Sequence, residues 1–258
     1  EGLPLHPLPE QRESVSQWRQ IGLGIMGLAD ALIKLGLTYG EEDAVSVCDR
    51  IGFVMADTAI AASARLAKEL GAFPKCKVEE IMETPYFLAN TTEGTKELVR
   101  KYGLRNSQLL TIAPTGTLST MLGISGGIEP IYANYYERKT ESLHGEDVYY
   151  KVYTKIVKDF MEEHKVSDDR LLPDYFVTAM TLDYHQRIDM QSIWQRHIDA
   201  SISSTVNVPS GFTVEETENL YLYAFEQGLK GITIFRDGCK RVGILNTKET
   251  KKITAGEG

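Results

Sequence analysis

The chain has 258 residues, 42% of them apolar, with 36 acidic against 28 basic side chains and a net charge of −8. That length fits one large domain or two small ones, and the apolar share is enough for a substantial core. The acidic balance excludes a dedicated basic surface for direct nucleic-acid binding, and no apolar run is long enough to span a bilayer, so no membrane partner is expected.

The opening EGLPLHPLPEQRES lacks the basic start and apolar centre of a signal peptide, so a cytoplasmic location is expected. Cys48, Cys76 and Cys239 are widely spaced and form no CxxC pair, which supports neither a zinc ribbon nor a disulfide framework.

Residues 1–10 carry three prolines and read as extended. From Ser14, the spacing of Trp18, Ile21, Ile25, Leu28, Leu32 and Leu35 predicts one helix that stops at Gly36. Inside it, GLGIMG (Gly22–Gly27) matches the letters of a dinucleotide-binding GxGxxG. The context does not fit: SVSQWRQ before it carries no strand run, and no acidic residue closes a second strand about 20 residues on. The three glycines are expected instead to let another element pack close to this helix.

Glu41–Asp43 opens a long helix to about Leu70, with Val47, Ile51, Val54, Met55, Ile60 and Leu66 as apolar positions. Its run of small residues over Ala56–Ala64 suits tight helix contact. Residues 75–95 read as irregular apart from a short helix near Val78–Met82, and Thr95–Tyr102 reads as a helix ended by Gly103. Ile131–Tyr136 is expected to be extended, Glu137–Gly145 a loop and Val148–His164 a helix. Thr181–Ser192 reads as a loop with a short helix, and Met190–Ala200 as helical. Ser201–Val208 alternates as a strand, Thr213 opens a helix that closes at Gly228, and Gly231–Phe235 reads as a buried strand. Strands alternating with helices in the second half give an α/β class with parallel pairing. Residues 247–258 are expected to be a polar, disordered tail, leaving 1–246 as the folded part.

The stretch Leu109–Pro130, LLTIAPTGTLSTMLGISGGIEP, carries the chemistry. A short apolar run leads into Pro114-Thr115-Gly116-Thr117 and a helix start, followed by a second glycine cluster at Gly123, Gly126 and Gly127. Two readings stand at this point. One is an ordinary strand-to-helix turn with an N-cap. The other is a phosphate cradle, in which free N–H groups at a helix N-terminus and the hydroxyls of Thr115, Thr117 and Ser119 face an anion. Elsewhere, His197 and Asp199 lie two apart, and His197 reads as a packing or surface residue rather than a base. His6, His144, His164 and His185 have no ligand spacing.

Three stretches in order resemble the large catalytic subunit of ribonucleotide reductases: Arg19–Tyr39, Thr111–Lys139 and Arg196–Gly238. The resemblance implies an α/β fold, helix-rich, with this chain as the C-terminal half of a ten-stranded α/β barrel. It implies that Pro114, Thr115, Gly116, Thr117, Leu118 and Ser119 hold the phosphates of a ribonucleotide substrate. It also implies a thiyl-radical reduction to the 2′-deoxyribonucleotide, driven by a dithiol reductant such as thioredoxin.

The departures matter as much. The family's Asn-x-Cys-x-Glu radical loop is absent from this sequence, so no catalytic residue is assigned here and an N-terminal half of the reductase is expected as partner. The strand Gly231–Phe235 carries no tyrosine pair, whereas Tyr135-Tyr136 lies in a different stretch. Gly-Ile-Thr-Ile-Phe-Arg-Asp-Gly is most similar to the adenosylcobalamin-dependent type. Two rival readings are a non-catalytic half-barrel that assembles with or regulates a partner chain, and an unrelated α/β phosphate-binding enzyme.

Overall fold

The computed structural model describes residues 6–140 and 148–239. The expected tail at 247–258 and the boundary at 246 lie outside the described residues. The elements in order are α1 (Pro9–Trp18), α2 (Leu28–Lys34), α3 (Glu42–Leu70), α4 (Val78–Met82), α5 (Pro85–Ala89), α6 (Glu93–Tyr102) and α7 (Gly116–Leu122). There follow β1 (Tyr135–Thr140), β2 (Val148–Tyr153), α8 (Lys155–Glu163), α9 (Tyr184–Gln195), β3 (Thr205–Val208), α10 (Val214–Glu226) and β4 (Thr233–Arg236).

The single helix expected over Ser14–Leu35 is two helices with an extended segment between them. Arg19 turns left-handed at φ 47° and ends α1, and α2 begins only after Gly27. Between them, Ile21 and Leu23 donate their N–H groups to the carbonyls of Gln108 and Leu109, and Thr111 donates back to Leu23. A glycine-rich segment is a poor helix, and partner carbonyls from a distant strand offer its backbone a better set of bonds. The glycines do admit a close neighbour, as expected, with Thr111 against Gly22 and Gly24, but the segment that carries them is extended rather than helical.

Parallel contacts run from this segment through Leu110 and Ile112 to Ile202, and on from β3 to β4. Four parallel backbones therefore lie side by side, in the order 21–24, 109–112, 202–208 and 233–236. Asp237 continues the last pair by donating to the carbonyl of Val208. The expected parallel α/β pairing is present.

α3 packs across α6 and α9. Its buried face is the small-residue stripe Ala44, Cys48, Gly52, Ala56, Ile60, Ala64 and Ala67, while Ile51, Val54 and Leu66 are exposed. Of the expected large apolar positions, Ile60 is buried and Met55 packs partly buried against the core, whereas Ile51, Val54 and Leu66 face outward. Small residues win because they let the helix axes approach until Trp194, Met190 and Val99 fill the gap. Burying one such large side chain is worth about 1.5–3 kcal/mol.

The helix expected over Val148–His164 is a strand followed by a helix. β2 pairs antiparallel with β1, Tyr135 opposite Tyr153 and Thr140 opposite Val148. Val148-Tyr-Tyr-Lys-Val-Tyr153 is rich in β-branched and aromatic residues, which suit a pleated ribbon. Residues 137–140, expected in a loop, belong to β1. Where a loop with a short helix and then a helix to Ala200 were expected over 181–200, a single helix, α9, runs from Tyr184 to Gln195 and stops before 196–200; it is capped by Asp183, whose carboxylate accepts from the His185 N–H. α5, inside the stretch expected to be irregular, is capped by the Thr84 hydroxyl. α10 carries the full capping box between Thr213 and Glu216.

Candidate phosphate-binding turn

Leu110 and Ile112 are fully buried in the middle of the parallel sheet, so the strand that feeds the turn is fixed on both sides. Its start is pinned by Asp199, whose two carboxylate oxygens accept from the N–H groups of Leu109 (2.8 Å) and Leu110 (2.7 Å). Burial pushes the Asp199 carboxyl above the usual range, and these N–H bonds oppose that shift. The Lys230 ammonium donates to the Asp199 carbonyl at 2.6 Å.

The strand stops at Pro114, which has no N–H to continue a ladder. Thr115 then takes φ −109°, ψ 25° and stands at the N-cap of α7. Its hydroxyl does not cap the helix. It accepts instead from the N–H of Gly127 at 2.9 Å, tying the turn to the second glycine cluster. Ser119 is buried, and its hydroxyl donates to the Gly116 carbonyl at 3.1 Å. Gly126 lies beneath both: a Cβ there would stand 3.4 Å from Ser119 Oγ and 3.6 Å from Thr115 Oγ1.

Two of the three expected hydroxyls therefore brace the turn from inside. Pro114, Gly116, Thr117 and Leu118 are exposed. The N–H groups of Gly116, Thr117 and Leu118 open α7 and have no carbonyl one turn back within it. A Cβ on Gly116 would meet nothing within 4 Å, so no other part of the chain packs on the side-chain side of Gly116. The only ionisable side chain from Leu109 to Pro130 is Glu129, so the stretch itself offers an anion backbone dipoles and no cation. Leu118, Met121 and Leu122 form an exposed apolar shoulder beside the turn.

The remaining candidates separate from this turn. His197 is buried, with Nδ1 2.6 Å from Asn90 Oδ1 and Nε2 3.0 Å from Asp49 Oδ1. It joins α3 and the end of α5 to the segment after α9, which is the packing one of the two roles expected. Cys48 is fully buried and its thiol is pushed up to about 11 by burial; Cys76 is half-buried and shifted the same way; Cys239 is exposed. A cavity of about 830 Å³ lies at the other end of the strands, where Leu109 and Asp199 line it with Trp18, Phe73 and Tyr86. No helix among the described residues is long and apolar enough to cross a membrane.

Sequence reasoning missed one group beside the turn. Arg187, Tyr39 and Glu129 come from α9, the α2–α3 connection and the glycine-rich segment; Arg187 and Tyr39 meet in the interior, and the partly exposed Glu129 side chain reaches Arg187 from its edge. Only the charge of Glu129 in Gly-Ile-Glu-Pro could have marked it in advance.

A family model described as "Ribonucleotide reductase, barrel domain" matches residues 3–235. The vitamin B12-dependent ribonucleoside-diphosphate reductase of Mycobacterium tuberculosis (strain CDC 1551 / Oshkosh) is 31% identical over 97% of this chain and 36% of its own length. That of Thermoplasma acidophilum is 32% identical over 95% of this chain and 32% of its own length. The ribonucleoside-diphosphate reductase subunit alpha of Chlamydia pneumoniae is 30% identical over 88% of this chain and 25% of its own length. The chain thus spans about a third of the length of the first two relatives. Among solved structures, the Actinobacillus ureae class Id ribonucleotide reductase alpha subunit superposes with a TM-score of 0.68 at 20% identity, over 90% of this chain and 42% of that one. The four parallel backbones are a part of that helix-rich α/β barrel, and the chain belongs to the ribonucleotide reductase barrel-domain family.

Proposed function

We propose that this chain is the part of a ribonucleotide reductase that holds the phosphates of the substrate, at Pro114, Thr115, Gly116, Thr117, Leu118 and Ser119. The observation that carries the reading is the outward set of N–H groups at Gly116–Leu118, at the carboxyl end of a buried parallel strand. That end of a parallel strand is where α/β folds bind ligands. Thr115 and Ser119 serve the site by bracing its backbone, and Thr117 offers its exposed hydroxyl. The relatives' names support a ribonucleoside diphosphate as the substrate.

Binding energy at the phosphates is spent far from the reacting carbon, where it fixes the ribose in place. In the reaction we assign to the whole enzyme, a cysteine thiyl radical takes the 3′-hydrogen and the 2′-hydroxyl leaves as water. The hydrogen returns to C3′ after C2′ is reduced, and a dithiol is oxidised to a disulfide. The radical cysteine and its partners belong to the N-terminal half of the reductase, and a dithiol protein such as thioredoxin restores the thiols. The reaction is assigned to the cytoplasm.

The relatives' names also support adenosylcobalamin as the source of the radical. That group supplies, when bound, a carbon radical that oxidises the cysteine thiol. The feature of this chain that suits it is β4, which places Ile234 and Phe235 beside β3 where a tyrosine pair would serve radical transfer from another subunit. No residue here is assigned to hold the cofactor.

The test is calorimetric titration of the complete enzyme with a ribonucleoside diphosphate, parent against Thr117→Ala. Loss of a hydroxyl contact to a charged phosphate is expected to weaken binding by about 1.5–3 kcal/mol. Unchanged affinity would remove the turn from the substrate site.

A further inference from the structure

Arg187 is 4% exposed, and a buried guanidinium needs partners on every side. Its Nη1 donates to Tyr39 Oη at 3.1 Å, and its Nη2 lies 3.2 Å from Glu129 Oε1 and 3.3 Å from the Thr205 carbonyl. Tyr39 Oη in turn donates to the Ile128 carbonyl at 2.7 Å, and Glu129 Oε1 accepts from the Thr205 N–H at 2.8 Å. Every donor and acceptor role is fixed, because a guanidinium only donates and a carbonyl only accepts.

These bonds converge on four residues of the glycine-rich segment. Glu129 donates its N–H to the Gly126 carbonyl at 2.9 Å, which closes 126–129 into a tight turn. Gly127 donates to Thr115 Oγ1, Ile128 is held through its carbonyl, and Glu129 through its carboxylate. Gly127 takes φ +48° and lies against Ile112, so the segment has little room to settle elsewhere. Thr115 stands at the head of the N–H groups that face the anion. Its hydroxyl is anchored only one residue from the carbonyl that Tyr39 holds.

We infer that Tyr39 and Arg187 are positioning residues for the phosphate turn: they lock residues 126–129 from behind, and that segment sets Thr115 and the N–H groups after it. The inference rests on the reading of the turn as the phosphate site. The guanidinium is buried but the Glu129 side chain is 38% exposed, so the ion pair by itself is weak support for stability. What it fixes is one geometry, which backbone N–H groups aimed at a phosphate require.

The experiment uses the complete enzyme and measures KM and kcat for a ribonucleoside diphosphate, with the inhibition constant of inorganic pyrophosphate beside them. Tyr39→Phe keeps the ring and removes the hydroxyl that joins Arg187 to Ile128. Glu129→Gln keeps an acceptor for the Thr205 N–H and removes the charge facing Arg187. Thr117→Ala reports on the turn itself. For both network variants, KM and the pyrophosphate constant are expected to rise together by about threefold to thirtyfold, with kcat within about twofold of the parent. A loss of kcat with KM and the pyrophosphate constant unchanged is the mark of a merely structural role and overturns the inference. If Thr117→Ala weakens both ligands and the network variants do not, the turn holds phosphate but these residues do not position it. If Thr117→Ala also changes neither constant, the phosphate site lies elsewhere and both readings fall.

Discussion

The carbonyl oxygen of Thr111 stands where a side chain on Gly24 would begin. A Cβ built on Gly24 falls 2.2 Å from that oxygen and 3.3 Å from its carbon. Gly24 thus lets the 21–24 segment lie flat against the strand that feeds the phosphate turn. Neither atom of Thr111 has the freedom of a side chain, so the backbone itself would have to move.

Gly24→Ala is expected to destabilise the protein by about 3 kcal/mol, the upper range for forcing atoms into a packed site. Gly94→Ala is the contrast. It sits in α6 with nothing within 4 Å of its Cβ position and is expected to gain about 0.5–1 kcal/mol. Thermal melting of the two variants beside the parent checks both signs. A Gly24→Ala protein that melts with the parent would show that the two backbones do not lie this close.

Gly52 and His197 form a second close pair. A Cβ on Gly52 would fall 2.4 Å from the His197 ring, which is held by Asn90 and Asp49. Gly52→Ala is expected to push the ring off these partners. The Gly52→Ala/His197→Ala double variant should then lose less than the sum of the singles, by about 1–2 kcal/mol. Strict additivity in the double-mutant cycle would disprove the contact.

Two carboxyl groups are expected to move stability with pH in opposite directions. Glu216 is held below the usual range by its bond from the Thr213 N–H. A lowered native pKa means that its contribution is complete above the ordinary value of 4.5 and is lost as pH falls through the native one. Glu216→Gln should remove that acid-side loss. Asp199 is shifted upward, mainly by burial, so the native state binds its proton more tightly than the unfolded chain does. Its contribution therefore grows as pH falls through the native pKa toward 3.8 and shrinks as pH rises. The margin of the parent over Asp199→Asn should widen in that acid window. Melting curves across the range for the two variants test both signs, and parallel curves for either would contradict its assignment.

The isolated 258-residue chain is expected to make no deoxyribonucleotide when supplied with ribonucleoside diphosphate, adenosylcobalamin and a dithiol. Cys48 is sealed in the core, and burial raises both its thiol and that of Cys76, which opposes formation of a reactive thiolate. Chromatographic detection of product above a no-enzyme control would return the radical chemistry to this chain.

Local chemistry was legible in the sequence. The capping box of Thr213 and Glu216, the helix stops at Gly71 and Gly103 and the strand–turn–helix of Leu109–Leu122 all depend on groups within about one turn of each other. Such signals survive in a string of letters because both partners lie in the same short window. The backbone that could face a phosphate was visible for that reason. The division of labour among its hydroxyls was not, because Thr115 is claimed by Gly127 and Ser119 turns inward to Gly116.

Tertiary structure decided whatever depended on a distant partner. Residues 21–24 became an extended segment because carbonyls at Gln108 and Leu109 accepted the N–H groups of Ile21 and Leu23, and Val148–Tyr153 became a strand because β1 paired with it. α3 buried its alanines rather than its isoleucine at 51 and valine at 54 because close approach to α6 and α9 outweighed the larger side chains. Arg187, Tyr39 and Glu129 are separated by up to 148 positions and meet only in the folded chain. Sequence sets the bonds a residue is able to make with its near neighbours. Which of them it makes is settled when strands and helices far apart in the chain compete for the same donors and the same volume.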